Sequence, residues 1–239
     1  MVASAYLYPV ELLDEVMRWA HTVSPDVPES IELLVFLRRD MLGHAGPGLQ
    51  VLAPALAESE EAARSDLEFV ADCSLRDRAL VAQEFTPTDV IDLVVGSDDF
   101  YPSGYRYAAD NMWTSAPVDD LLDGYRRIAE TLPASPTHMM WMNWRPPLER
   151  PDMAFSLEDD VYIALYSVWQ DEADDPQFVD WPSNRMRELE GVASGIQLAD
   201  ENLARRPMPF MAPDNLRRLE ELRARFDPDG RFHGWPGAS

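Results

Sequence analysis

The residues best suited to chemistry sit on one stretch, Val161-Tyr-Ile-Ala-Leu-Tyr-Ser-Val-Trp169. Its β-branched and aromatic residues read as a strand, and a strand sorts its side chains onto two faces with a period of two. Val161, Ile163, Leu165, Ser167 and Trp169 fall on one face, which is expected to pack against helices. Tyr162, Ala164, Tyr166 and Val168 fall on the other. A phenol joins an apolar ring to a polar tip, so two on one face suit a surface that meets a ligand or a second domain. Tyr also tolerates a half-exposed sheet face with no function, and that plain structural reading stands beside the first. Neighbouring stretches add Tyr105, Tyr107, Asn111, Trp113, Trp141 and Asn143. Together they would make an aromatic wall with amides and phenols to orient a small organic substrate.

Other reactive arrangements are missing. His21, His44, His138 and His233 are scattered without the spacing of a zinc site, so no metal is expected. The turn Gly43–Gly48 lacks the Lys and the following helix of a phosphate loop. No Gly-x-Ser-x-Gly elbow occurs. Asp98-Asp99 and Glu158-Asp-Asp160 are carboxylates without ligand spacing and read as solvated loops. His138 opens an apolar strand and is a general-base candidate by type, although a surface or strand-end histidine is the simpler reading. Cys73 is the only cysteine, which excludes an internal disulfide, and it reads as a small core residue.

The elements that must position these residues follow from periodicity and breakers. Residues 2–8 read as a strand, and Pro9 opens a helix to His21 with Leu12, Leu13, Val16, Met17 and Ala20 on one face. Strands are predicted over 30–38 and 49–57 around the Gly43–Gly48 turn, then a helix from Ser59 to Asp72. A short helix is predicted between Phe85 and Ser97, a strand over 105–114, and a helix over 118–131. Strands over 138–144 and 160–170 flank a Pro-rich linker at 145–152. A helix from Trp181 to about Val192 and an edge strand over 194–200 precede the last helix, on which Leu216, Leu219, Leu222 and Phe226 form a stripe. Asp214 is its predicted N-cap, and Asp227-Pro-Asp-Gly230 a type I turn after it. The order predicts an α+β chain, an antiparallel or mixed sheet with helices on one face, and one domain over 1–239.

Bulk properties narrow the class. A hydrophobic content of 46% marks a folded chain, and 239 residues suffice for a sizeable core. The formal charge of −23 argues against nucleic acid or an anionic membrane as partner. No apolar run is long enough to span a bilayer, and the N-terminus lacks a secretory pattern, so a cytoplasmic protein is the default expectation.

The terminal helix running into Arg225–Trp235, which reads RFDPDGRFHGW, resembles the berberine-like segment of flavin-linked oxidases of the berberine bridge enzyme family. That segment covers about residues 194–236. A fainter likeness runs through AYLYPVELLDEVMRW (5–19), DFYPSGYRYAAD (99–110) and YIALYSVWQDEADD (162–175), in the order of the family's substrate domain. The family's Tyr-x-Asn motif before the last helix is replaced here within Ser194–Asp200, and its polar ending by His233-Gly-Trp235. The resemblance implies a substrate-binding domain without its N-terminal FAD domain. FAD would then reach it only through a partner domain, and none would bind this chain alone. In that setting the aromatic face would hold an organic substrate at the flavin, with Tyr162 or Tyr166 as acid/base. Two alternatives stay open, a flavin-free pocket enzyme such as a cyclase, isomerase or lyase, and a non-catalytic binding protein or homodimer. A substrate domain on its own would also be expected to expose a wide apolar sheet face.

Overall fold

Alternating apolar residues build one seven-stranded sheet in a computed structural model that describes residues 1–147, 149, 153–200 and 202–235. The strands are β1 (Val2–Pro9), β2 (Leu34–Met41), β3 (His44–Ala55), β4 (Val81–Pro87), β5 (Arg106–Thr114), β6 (His138–Asn143) and β7 (Val161–Trp169). Their order is β4-β1-β3-β2-β6-β7-β5, and every neighbouring pair is antiparallel. The helices are α1 (Leu13–Val23), α2 (Glu60–Asp66), α3 (Glu68–Ala71), α4 (Val90–Ser97), α5 (Val118–Thr131), α6 (Asp175–Phe178), α7 (Trp181–Glu188) and α8 (Pro213–Phe226). This is the α+β class read from the sequence, with the sheet antiparallel and not mixed.

The main core lies between one face of the sheet and a helical layer. α1 buries Leu13, Val16, Met17 and Ala20, and α5 buries Leu121, Leu122, Tyr125 and Ile128. They meet Val35, Leu37, Leu49, Val51, Ile163 and Leu165 from the sheet. Each large side chain removed from water contributes about 1.5–3 kcal/mol, which makes this layer the main source of stability. The opposite face carries a second cluster of Leu34, Phe36, Trp113, Met142, Tyr162, Ala164, Tyr166 and Val168. β4 and β5 are consecutive strands at opposite edges, so residues 88–105 must cross the sheet. They do so on this second face, where Phe100 packs on Phe36 and Arg38 lies over the Phe100 ring.

Several boundaries differ from expectation. β4 was missed because its residues are half-buried or exposed and show no clean alternation. The reversal between β2 and β3 falls at Leu42 and Gly43, both at positive φ, and so β3 starts at His44 inside the stretch predicted as a turn. The 30–38 strand starts only at Leu34, with Ile31 making one isolated bridge. The 59–72 helix breaks at Leu67 into α2 and α3, while Ser59 caps it as its hydroxyl accepts from the Ala62 N–H. α7 stops at Glu188, four residues early. α8 starts at Pro213, which puts Asp214 in its first turn, paired with Arg217, and not at the cap. The turn after α8 forms as predicted, with the Gly230 N–H donating to the Asp227 carbonyl at 3.0 Å. The Asp227 carboxylate accepts two further backbone N–H groups. Of the predicted linker, Leu148 and residues 150–152 lie outside the described residues, as do Glu201 and Pro236 of the terminal segment.

Candidate functional site

β7 sorts its side chains as its sequence demands. Tyr162 and Tyr166 point away from the helical layer, and both donate to one oxygen, Oδ2 of Asp200, at 3.1 and 2.9 Å. Both phenols are buried. The wide exposed apolar face expected of this surface is therefore not what forms, because the chain's own segments close over the phenols.

Asp200 is delivered by residues 194–200, which run along the free edge of β5. The predicted edge strand reduces to a single bridge between Trp113 and Gly195. Gly195 has to be glycine here, since a Cβ would stand 2.2 Å from the Leu157 side chain and 2.7 Å from the Pro209 carbonyl. Beyond the bridge, Asn111 replaces backbone pairing. Its Oδ1 accepts from the Gln197 N–H at 2.7 Å, and its Nδ2 donates to the Gln197 carbonyl at 2.9 Å. Further along, the Arg206 guanidinium grips the Asp110 carboxylate through Nε and Nη2 at 3.0 and 2.6 Å. Their side chains are 2% and 1% exposed.

His138 completes the cluster from β6. It is fully buried and lies nearly parallel to the Tyr166 ring at 4.9 Å. Its Nδ1 faces the Pro136 carbonyl at 2.9 Å, and a carbonyl only accepts, so the proton sits on Nδ1. Nε2 is left as the acceptor for the Tyr101 hydroxyl at 3.3 Å. Burial lowers the His138 pKa to about 4, so the ring is neutral at pH 7. Tyr101 stands edge-on to both Tyr166 and His138, and at 39% exposure it is the member of the group that reaches solvent.

The electrostatics decide which groups hold protons. Burial, and after it the Asp200 charge, pushes the Tyr162 phenol above its ordinary range. Tyr166 is raised by burial first, then by the neighbouring phenols and Asp200. Burial also lifts Tyr101 to about 12. At neutral pH these phenols stay protonated, and since each already donates to Asp200 or faces His138, holding a ligand oxygen would require the hydroxyl to turn from that partner. The acceptors are Asp200, which already takes both phenol protons, and His138 Nε2, whose one lone pair faces the Tyr101 hydroxyl. The arrangement thus suits Tyr162 and Tyr166 to the acid half of an acid/base role and leaves the base half to those two groups.

The other expected wall residues divide. Trp113 joins the cluster, its ring 4.8 Å from Tyr162, and its indole N–H has no partner among the described residues. Tyr105 packs half-buried against the same cluster. Tyr107 is 45% exposed and donates to the Pro102 carbonyl. Asn111 is buried and spends its amide on Gln197. Trp141 and Asn143 are corrections, because their β6 positions face the helical layer. Trp141 donates to His21 Nε2 at 3.1 Å, and Asn143 accepts from the Ser24 hydroxyl at 2.5 Å. His138 does open a strand, as one expectation had it, but it is buried in the cluster and not at the surface. Asp200 and Tyr101 were missed as site residues. The available signals were an acid just after Ile196-Gln-Leu-Ala199 and an aromatic pair inside an otherwise polar loop.

The likeness to known proteins is broad and distant. No family model matches the chain. The FAD-linked oxidoreductase nodO of Hypoxylon pulicicidum is 24% identical over 234 residues, which cover 97% of this chain and 51% of that protein. The FAD-linked oxidoreductase ptmO of Penicillium ochrochloron is 26% identical over 237 residues, which cover 96% of this chain and 51% of that relative. The chain therefore spans about half the length of the curated relatives it matches. Among solved structures, aclacinomycin oxidoreductase shares the fold with a TM-score of 0.71 at 12% identity, over 98% of this chain and 54% of that one. The berberine-bridge-enzyme-like protein 28 of Arabidopsis thaliana does so with a TM-score of 0.65 at 9% identity, over 95% and 54%. The chain is a distant relative of the FAD-linked oxidoreductases, alike in sequence and fold to about half of each, consistent with the berberine-like C-terminal part that its terminal segment resembles.

Proposed function

We propose that this chain is the substrate-binding half of a flavin-linked oxidoreductase acting on a small organic substrate. The observation that carries the reading is the convergence of Tyr162 and Tyr166 on Asp200, with neutral His138 alongside, on the sheet face away from the helices. The cluster would bind a substrate oxygen or nitrogen and move its proton, while FAD supplies redox chemistry when bound. The residues present do not compose a dinucleotide site. A diphosphate needs cations or a backbone N–H cradle. The described residues of this face are mainly phenols and a carboxylate, and the Arg38 guanidinium is spent on Ser135 and the Asp99 carbonyl, in a chain of net charge −23. FAD is accordingly assigned to residues outside this chain, in a flavin-binding partner or domain. Support for a partner comes from α4, which exposes Val90, Ile91, Val94 and Val95. Among the described residues no helix is long and apolar enough to cross a membrane. A flavin-free pocket enzyme is the second reading, favoured by the closure of Phe100 and Tyr101 over the phenols.

The test starts with the visible spectrum of the purified chain after incubation with FAD and desalting. The expected result is a colourless protein. The half of nodO that this chain does not match is then supplied as the flavin carrier, and flavin bleaching is followed anaerobically with candidate alcohols and amines. Bleaching that needs both halves, and falls by a factor of about 10² in Tyr166→Phe, supports the proposal. Turnover by the chain alone, without flavin, would establish the pocket-enzyme reading in its place.

A further inference from the structure

We infer a second ligand site on the helical side of the sheet, a cleft of about 700 Å³ that takes a small organic carboxylate through His21 and Arg145. It is independent of the phenol cluster and of the function proposed for it. Val161 lines the cleft while the adjacent Tyr162 faces the other way, so the sheet itself separates the two. The volume lies within the range of small-molecule pockets.

The polar side of the cleft follows from one hydrogen bond. The Trp141 indole N–H can only donate, and it stands 3.1 Å from His21 Nε2. Nε2 is therefore unprotonated, and it also lies 3.2 Å from the Tyr125 hydroxyl. Burial holds the ring neutral to about pH 4, so its one proton is on Nδ1. That N–H has no partner among the described residues, on a side chain that lines the cleft. Arg145 supplies the charge. Its backbone is held at φ 49°, and its two Nη groups donate to the Pro25 and Val27 carbonyls. Its Nε–H is shut away from solvent, so the donors it can offer a ligand are the N–H groups that Nη1 and Nη2 do not spend on those carbonyls. A fixed guanidinium and a spare imidazole N–H suit an acceptor with two oxygens and one negative charge.

The rest of the lining sets the class of ligand. Pro25, Pro117, Val118 and Pro146 give apolar walls for a compact hydrocarbon or aryl body. Asp160, also in the lining, opposes any negative charge, and a doubly charged phosphate about twice as strongly as a carboxylate.

Isothermal titration calorimetry of the purified chain with benzoate, benzamide and inorganic phosphate tests the site. The expected result is saturable one-to-one binding of benzoate, with benzamide and phosphate at least ten-fold weaker. His21→Phe should weaken benzoate at least ten-fold, and Tyr166→Phe should leave it unchanged. Ser115 is an exposed lining residue, so Ser115→Trp should fill the cleft without disturbing the fold and abolish binding. No saturable binding of benzoate overturns the inference. So does binding that survives Ser115→Trp, or that is lost in Tyr166→Phe with Ser115→Trp unaffected.

Discussion

Asn111 holds Gln197 as a neighbouring strand would, accepting from its N–H and donating to its carbonyl with the two ends of one side-chain amide. A side chain thus extends the β5 edge by one rung, and Asp200 sits three residues further along that rung's strand. Asn111→Leu should remove both bonds, cost about 2 kcal/mol, and speed amide hydrogen exchange over residues 195–200. Asn111→Asp keeps the acceptor and loses the donor, and should fall between the two proteins in urea midpoint.

The Asp110–Arg206 pair should behave as a buried ion pair with no solvent to fall back on. Arg206→Met strands the Asp110 carboxylate and is expected to cost roughly 3–5 kcal/mol, read as a drop in urea midpoint at pH 7. The double change Asp110→Leu with Arg206→Met removes both charges and should recover much of that loss. A double variant as unstable as the single would show that packing, and not the stranded charge, dominates.

Acid should weaken the fold through His138, which is buried, and His21, which is half-buried. The His21 and His138 rings titrate near pH 4 when folded and near 6.5 when unfolded. The unfolded chain binds more protons between those values, so stability is complete above about pH 6.5 and declines as pH falls towards 4. The decline should be roughly 3 kcal/mol for each ring. His138→Gln, although less stable at pH 7, should lose less between pH 6.5 and 4.5 in urea titrations.

Alkali should act through the phenols with the opposite slope. Tyr162 and Tyr166 keep their protons well above the ordinary phenol range when folded, whereas an unfolded phenol ionises near pH 10. Above that pH the unfolded chain holds fewer protons, so stability is full below about pH 10 and falls as pH rises. Absorbance at 295 nm should show a set of phenols that ionise only as the chain unfolds. The set should shrink by two in the Tyr162→Phe, Tyr166→Phe double variant.

The sheet and its faces were legible from β7 and α5. Val161–Trp169 is a run rich in β-branched and aromatic residues, buried at all nine positions, and Leu121, Leu122, Tyr125 and Ile128 mark one side of a helix. β4 was invisible because an edge strand with Gln83, Glu84 and Thr86 need not alternate. The phenols were found by the period of two that any strand imposes. Trp141 and Asn143 were misplaced because the register of β6 against β7 sets which residues of the two strands share a face, and no local pattern in His138–Trp144 announces that register. Asp200 could not be assigned from sequence, since its place depends on Asn111, 89 positions earlier, making a contact that only the folded β5 edge provides.

The strand order also has a consequence for how the chain folds. Residues 2–87 contain β1 to β4, and these four strands are mutual neighbours at one end of the sheet. Residues 2–87 can therefore pair among themselves as they emerge from the ribosome, before the remaining strands of this sheet are made. β6 and β7 then add to the exposed side of β2, and β5, although made earlier than both, has no place until β7 is present. The segment from 88 to 114 must wait as an unpaired tether, which makes closure over Tyr166 a late event in folding.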